Sequence, residues 1–174
     1  MPLVEILYPY LPSGRTIRLV PETDRFLAAA KRAGRELSTE RNQPTGAVVV
    51  VGGQVIGRGA NQAALQSPRL ARLHQRGWCL RHLLGVKSGT KYWLCPGCAN
   101  FTSHAEVRAM RQAQSRHGDI AGADLYLWGH WWCCRPCWTA MIAAGIKDVY
   151  LLEGGHRLFH GSRQDRRNHE RQTN

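Results

Sequence analysis

The chain has 174 residues, 43% of them hydrophobic and 21% charged, a composition that excludes disordered and fibrous proteins. A domain of this size buries roughly 70% of the surface its unfolded chain exposes, so a core can form without disulfides. Lys and Arg outnumber Asp and Glu by 24 to 12, and the net charge of +12 calls for an anionic partner. The opening Met1-Pro2-Leu3-Val4-Glu5 has neither a basic n-region nor an apolar h-region. The longest purely aliphatic run, Ala47 to Val51, is far short of the roughly 20 residues a membrane span needs. A cytoplasmic protein with no membrane partner is the expectation.

Pro21-Glu22-Thr23-Asp24 followed by Phe26, Leu27, Ala30 and Leu37 predicts an amphipathic helix ending near Ser38. Pro44-Thr45-Gly46 opens the strand Ala47 to Val51, Gly52-Gly53 turns it, and Gln54 to Gly57 runs back as a β-hairpin. The polar stretch 61–103 has weak periodicity and reads as an insertion. Ser103 is a good N-cap for a helix through about His117, closed by Gly118. Ala123 to Trp128 is a strand. Pro136 suits the first turn of the next helix, which stops at Gly145, and Lys147 to Leu152 is a further strand. Strand, helix and strand with short links imply a right-handed crossover and parallel pairing. The fold class is α/β, with helices on one mixed sheet.

Charge is unevenly placed. Residues 66–103 hold Arg69, Arg72, Arg76, Arg81, Lys87 and Lys91 and no acid, which is half the net charge. From Gly154 onward there are five Arg against Asp165 and Glu170, with Leu158 and Phe159 the only large apolar residues. The expected organisation is one domain over 1–155 with a basic insertion at 62–103, then a basic, disordered tail at 156–174.

The six cysteines, Cys79, Cys95, Cys98, Cys133, Cys134 and Cys137, crowd into two clusters, which reads as metal before disulfide. Two helix starts carry the interesting ones: His104-Ala105-Glu106 opens one helix and Cys134-Arg135-Pro136-Cys137 the next. A catalytic zinc takes three protein ligands and leaves a fourth position for water, and one His with two Cys meets that count. A Cys-x-x-Cys pair at a helix start can bind one metal through both sulfurs, aided by the helix dipole. Glu106, two residues past His104, is then placed to move protons for that water, whose pKa zinc lowers to about 7. Each piece has a plainer reading. Eight His and seven Glu predict about 0.3 His-x-Glu pairs by chance. Glu106 has the spacing of a capping box with Ser103. Cys-x-x-Cys alone also fits a redox pair or half of a structural zinc site.

The ordered combination resembles the cytidine/deoxycytidylate deaminase superfamily, whose signature is His-x-Glu followed by Pro-Cys-x-x-Cys. The resemblance covers about Gln43 to Leu152. Gln43 to Val49 looks like the family's first strand, and Gly59-Ala60-Asn61 resembles the place where it presents a sugar-binding Asn. Cys79-Leu80-Arg81-His82-Leu83-Leu84-Gly85-Val86-Lys87-Ser88-Gly89, leading to Cys95 and the Ser-His-Ala-Glu, is similar to deoxycytidylate-deaminase-like proteins in particular. The resemblance implies a three-layer α/β/α fold around one mixed central sheet and a homo-oligomer. It implies that His104, Cys134 and Cys137 hold catalytic zinc, that Glu106 shuttles protons, that Asn61 holds the sugar, and that backbone around Ala105 holds the base. A turn residue is the plainer reading of Asn61. Two departures stand out. Cys133 occupies the family's Pro position, making Cys133/Cys137 a poorer alternative pair. The family's fifth strand has to come from around Arg157 to His160 or be absent.

The spacing Cys79-x-x-His82, twelve residues, Cys95-x-x-Cys98 further predicts a structural Cys₃His zinc site, with His74 as a rival fourth ligand. The insertion has too few periodic apolar residues to fold by burial, and a metal supplies the missing folding energy. Its ends flank Asn61 and His104, so its cations are expected over the pocket mouth. Arg69, Arg81, Lys87 and Lys91 are the phosphate-binding candidates, and Trp131 and Trp132 are placed to wall the pocket. Three functions compete: deamination of a cytosine-type nucleotide of dCMP or CMP kind, deamination of single-stranded DNA or RNA, and a non-enzymatic zinc module that binds nucleic acid.

Overall fold

The strand β2 (Gly46–Val51) is apolar from end to end because both of its faces are covered. Ala47 and Val49 enter one core, and Val48 and Val50 enter another on the opposite side. The computed structural model describes residues 6–40, 43–87 and 90–159. In chain order it contains β1 (Ile17–Val20), α1 (Arg25–Leu37), β2, β3 (Gln54–Ala60), α2 (Pro68–Gln75) and α3 (Leu80–Leu83). Short 3₁₀ turns follow at Tyr92–Leu94 and Phe101–Ser103. The chain continues through α4 (Ala105–His117), β4 (Asp124–Trp128), α5 (Arg135–Ala143), β5 (Val149–Leu152) and α6 (Gly155–Phe159). No helix among the described residues is long and apolar enough to cross a membrane.

The five strands form one sheet in the order β1-β5-β4-β2-β3. β2 pairs antiparallel with both β3 and β4, while β4, β5 and β1 run parallel. Helix α1 covers one face through Leu27, Ala29 and Ala30, and α4 and α5 cover the other through residues such as Met110, Trp138 and Met141. This is a three-layer α/β/α arrangement.

The fifth strand corrects the sequence reading. It comes from the N-terminal side as β1, with Ile17 opposite Val149 and Val20 opposite Leu152. The Arg15 guanidinium donates to the Ile146 carbonyl at 3.0 Å, and Arg18 pairs with Asp148 at 3.0 Å, which holds the edge in place. The expected strand near Arg157 is instead α6, and His160 lies outside the described residues. The first residues of the expected disordered tail are thus ordered. Phe159 meets Trp128 edge-on, with ring centroids 5.7 Å apart. Residues 160–174 also lie outside the described set.

Small residues set the layer spacing. A Cβ on Gly46 falls 2.1 Å from the Ala30 carbonyl oxygen and 2.2 Å from the Gly34 nitrogen, both backbone atoms of α1. On the other face a Cβ on Gly59 falls 2.3 Å from the Ala109 nitrogen and 2.5 Å from the Ala105 carbonyl oxygen. Glycine therefore lets α4, the helix that opens at His104, lie directly on β3. Gly46→Ala is expected to cost about 1–3 kcal/mol, since neither backbone can yield without moving α1. Thermal melting should fall by roughly 2–4 °C per kcal/mol, and an unchanged midpoint contradicts this account of the packing.

Candidate active site and metal centre

Two helices of the same layer begin side by side. His104 is the N-cap of α4 and Cys134 the N-cap of α5, both in extended backbone conformation, so their side chains project from the helix starts. His104 Nδ1 lies 3.6 Å from Cys134 Sγ and 3.4 Å from Cys137 Sγ. The three ligand atoms are all within 4.8 Å of one another, close enough to share one ion. The donor set of one imidazole and two sulfurs suits zinc and leaves a fourth position open. Cys137 is buried and Cys134 half-buried.

Glu106 sits in the first turn of α4 and is only 5% exposed. Burial pushes its carboxyl above the ordinary value and the neighbouring Cys134 adds to this, while His104 opposes it. The hydrogen bond from Cys137, with help from His104, holds the Cys134 thiol well below its usual range. The capping-box reading of Glu106 does not hold. Ser103 closes a box with Asn100 instead: Asn100 Oδ1 accepts from the Ser103 N–H at 3.1 Å, and the Asn100 N–H donates to Ser103 Oγ at 3.0 Å. Cys133 stays out of the trio. Its thiol is fully buried and pushed up by burial first and by Glu106 second.

Two neighbours were not anticipated from sequence. Tyr92 meets the His104 ring edge-on at 5.2 Å. His130, two residues past β4, has a buried Nδ1 without a hydrogen-bond partner among the described residues, and burial followed by the His104 charge lowers its pKa to about 4. It lies beside the trio. Neither residue carries a spacing signal in the sequence. Trp131 and Trp132 are half-buried in the loop before the cysteines, Trp131 stacked on Tyr8 and Trp132 edge-on to His130.

The remaining candidates are placed as follows. Asn61 Oδ1 accepts from Ser38 Oγ at 2.6 Å and from the Thr45 N–H at 2.9 Å, and its Nδ2 donates to the Gln43 carbonyl at 3.1 Å. It braces the end of β3 against the start of β2. Arg81 is a correction. It is only 5% exposed, donates to the Thr90 and Lys87 carbonyls at 2.9 Å, and lies over the Tyr92 ring at 4.1 Å. These contacts engage its guanidinium within the insertion itself, unlike the free phosphate ligand expected from sequence. Arg69, Lys87 and Lys91 are exposed. His82 is a second correction. Cys79, Cys95 and Cys98 gather with His74, and the His82 side chain is exposed on α3.

A family model for the cytidine and deoxycytidylate deaminase zinc-binding region matches residues 21–153. The chain belongs to this family of zinc-dependent deaminases. Its mixed sheet between two helical layers is the deaminase-like α/β fold. Among solved structures, a tRNA:A34 deaminase that edits A to I at the wobble position is 26% identical, covering 72% of each chain at a TM-score of 0.45. The dCMP deaminase of cyanophage S-TIM5, in complex with dCMP and dUMP, is 19% identical over 72% of this chain and 76% of its own, at a TM-score of 0.44. A diaminohydroxyphosphoribosylaminopyrimidine deaminase/5-amino-6-(5-phosphoribosylamino)uracil reductase from Thermotoga maritima is 23% identical at a TM-score of 0.43. This match covers 72% of the chain and spans 28% of the Thermotoga protein. A search of curated protein sequences gives no match.

Proposed function

We propose that this deaminase hydrolyses the amino group from a cytosine-type base of a nucleotide. The observation that carries the reading is the buried Glu106 carboxyl beside the trio of His104, Cys134 and Cys137, at the meeting point of two helix starts. That trio is the proposed holder of the catalytic zinc. A second, structural zinc in the insertion belongs to the same reading. When bound, zinc at the trio supplies an acidified water as nucleophile at neutral pH. Glu106 takes a proton from the attacking water and gives it to the ring nitrogen, then carries the next proton to the amino group, which leaves as ammonia. The oxygen of water ends as the ring carbonyl. Backbone around Ala105, with Trp131 and Trp132, is the proposed surround of the base.

Phosphate recognition is assigned to the insertion. Its two ends are tied together, the Gln62 N–H donating to the Ser103 carbonyl at 3.0 Å, so the segment leaves and re-enters beside His104. Exposed Lys91 and Arg69 are its candidate cations. One observation favours a polynucleotide instead: Trp78 and Trp93, in this basic segment, are 68% and 79% exposed, as stacking platforms for unpaired bases are.

The test compares turnover of a cytidine nucleoside, its monophosphate and a cytosine-containing oligonucleotide at two salt concentrations. The expected result is preference for the monophosphate with weak salt dependence. Preference for the oligonucleotide, with affinity falling at a log–log slope of about −0.7 per phosphate contacted, transfers the assignment to the strand. No turnover of any amino-bearing base removes the catalytic reading.

A further inference from the structure

Resting on the two-ion reading, we propose that the insertion's metal ion is held by His74, Cys79, Cys95 and Cys98, with Glu40 as its outer partner and Arg81 as its counter-charge. The four ligand atoms all lie within 4.8 Å of one another, and the three cysteines are buried. His74 Nε2 faces Cys98 Sγ at 3.3 Å, and Cys79 Sγ lies 3.5 Å from Cys98 Sγ. The other imidazole nitrogen, Nδ1, faces Glu40 Oε1 at 3.5 Å. A ligating histidine characteristically has its second nitrogen on a carboxylate, which fixes the tautomer and turns the ring to the metal. Gly97 leaves room for that ring, since a Cβ there falls 2.8 Å from His74 Cδ2.

Arg81 points the same way. Its guanidinium is buried, the 66–103 segment holds no acid, and among the described residues its side chain donates to two carbonyls and to the Cys98 sulfur at 3.8 Å. A buried cation needs an opposite charge close by. Neutral thiols do not provide one. Three thiolates and one divalent ion together carry a single negative charge, which Arg81 balances.

The ion also explains how this segment folds. The cysteines form the only apolar cluster assigned to it among the described residues, with Tyr92 packed against them, and α2 buries no residue of its own. Tyr92 in turn touches His104. The metal thus holds one wall of the catalytic trio's surroundings.

Zinc content and the cobalt(II) spectrum of the full chain test this independently of turnover. Wild type should bind two zinc ions. His74→Ala and Cys95→Ser/Cys98→Ser should each bind one, His82→Ala should still bind two, and Cys134→Ser/Cys137→Ser should keep the insertion's ion. His74→Cys, which retains a donor, should keep both ions and intensify the sulfur-to-cobalt charge-transfer band. Glu40→Gln should weaken the insertion site by about 10–100-fold in a chelator competition. A wild-type content of one ion overturns the site. Loss of an ion in His82→Ala but not in His74→Ala overturns the ligand set. Two ions with His74 dependence in a chain that deaminates nothing leave this inference standing and remove the catalytic reading alone.

Discussion

Replacing Glu106 by Gln is expected to leave fold and metal content unchanged while turnover falls roughly 100- to 10,000-fold, the usual contribution of a positioned proton carrier. The residue is buried in the first turn of α4 and ligates nothing in the proposed arrangement. Gln matches it in size, so the helix start has no reason to move. What is lost is the ability to take a proton from water and give it up again. The substrate's KM should change far less than kcat, because the step removed belongs to the transition state. Elemental analysis and steady-state kinetics on the same preparation check both halves. Near-normal turnover in Glu106→Gln sinks the assignment, whereas loss of zinc with activity makes Glu106 a structural residue.

Most of the fold was legible because burial on both sheet faces leaves continuous apolar strands, and because helix ends carry strong local signals. Asp24 caps α1 by accepting from the Phe26 and Leu27 N–H groups at 2.9 Å, as the Pro-Glu-Thr-Asp run suggests. β1 was missed because it is an edge strand. Its middle residues, Arg18 and Leu19, are exposed, so the run lacks the apolar continuity that marked β4 and β5. The trio of His104, Cys134 and Cys137 was readable from spacing, since each of its two halves sits on one helix start. His74 was not preferred because Cys-x-x-His82 mirrors Cys-x-x-Cys98 in sequence. The proposal favours His74 for a local reason. His82 lies on α3, where its side chain is exposed, while α2 carries His74 to within 3.3 Å of Cys98. A cation in a basic segment suggests a free phosphate ligand, and sequence does not register the burial of Arg81 between carbonyls.

The three adjacent-looking cysteines of the second cluster separate cleanly by expected effect. Cys134→Ala or Cys137→Ala removes one of three ligands, and each should lose the catalytic ion and detectable turnover together. Cys133→Ala should keep both. The competing pair Cys133/Cys137 has a spacing of four, one longer than Cys134/Cys137, and Cys134 rather than Cys133 stands at the N-cap of α5. Cys133 instead points into the core, fully buried against Glu106 and close to Tyr8. Truncating it leaves a cavity of about one sulfur atom, costing about 1 kcal/mol, with melting lowered by roughly 2–4 °C. Activity should fall only modestly, through a small shift of the Glu106 carboxyl. Measuring zinc, melting temperature and turnover in the three variants separates the roles. If Cys133→Ala loses the ion while Cys134→Ala keeps it, the proposed trio is wrong and the metal sits on the other pair.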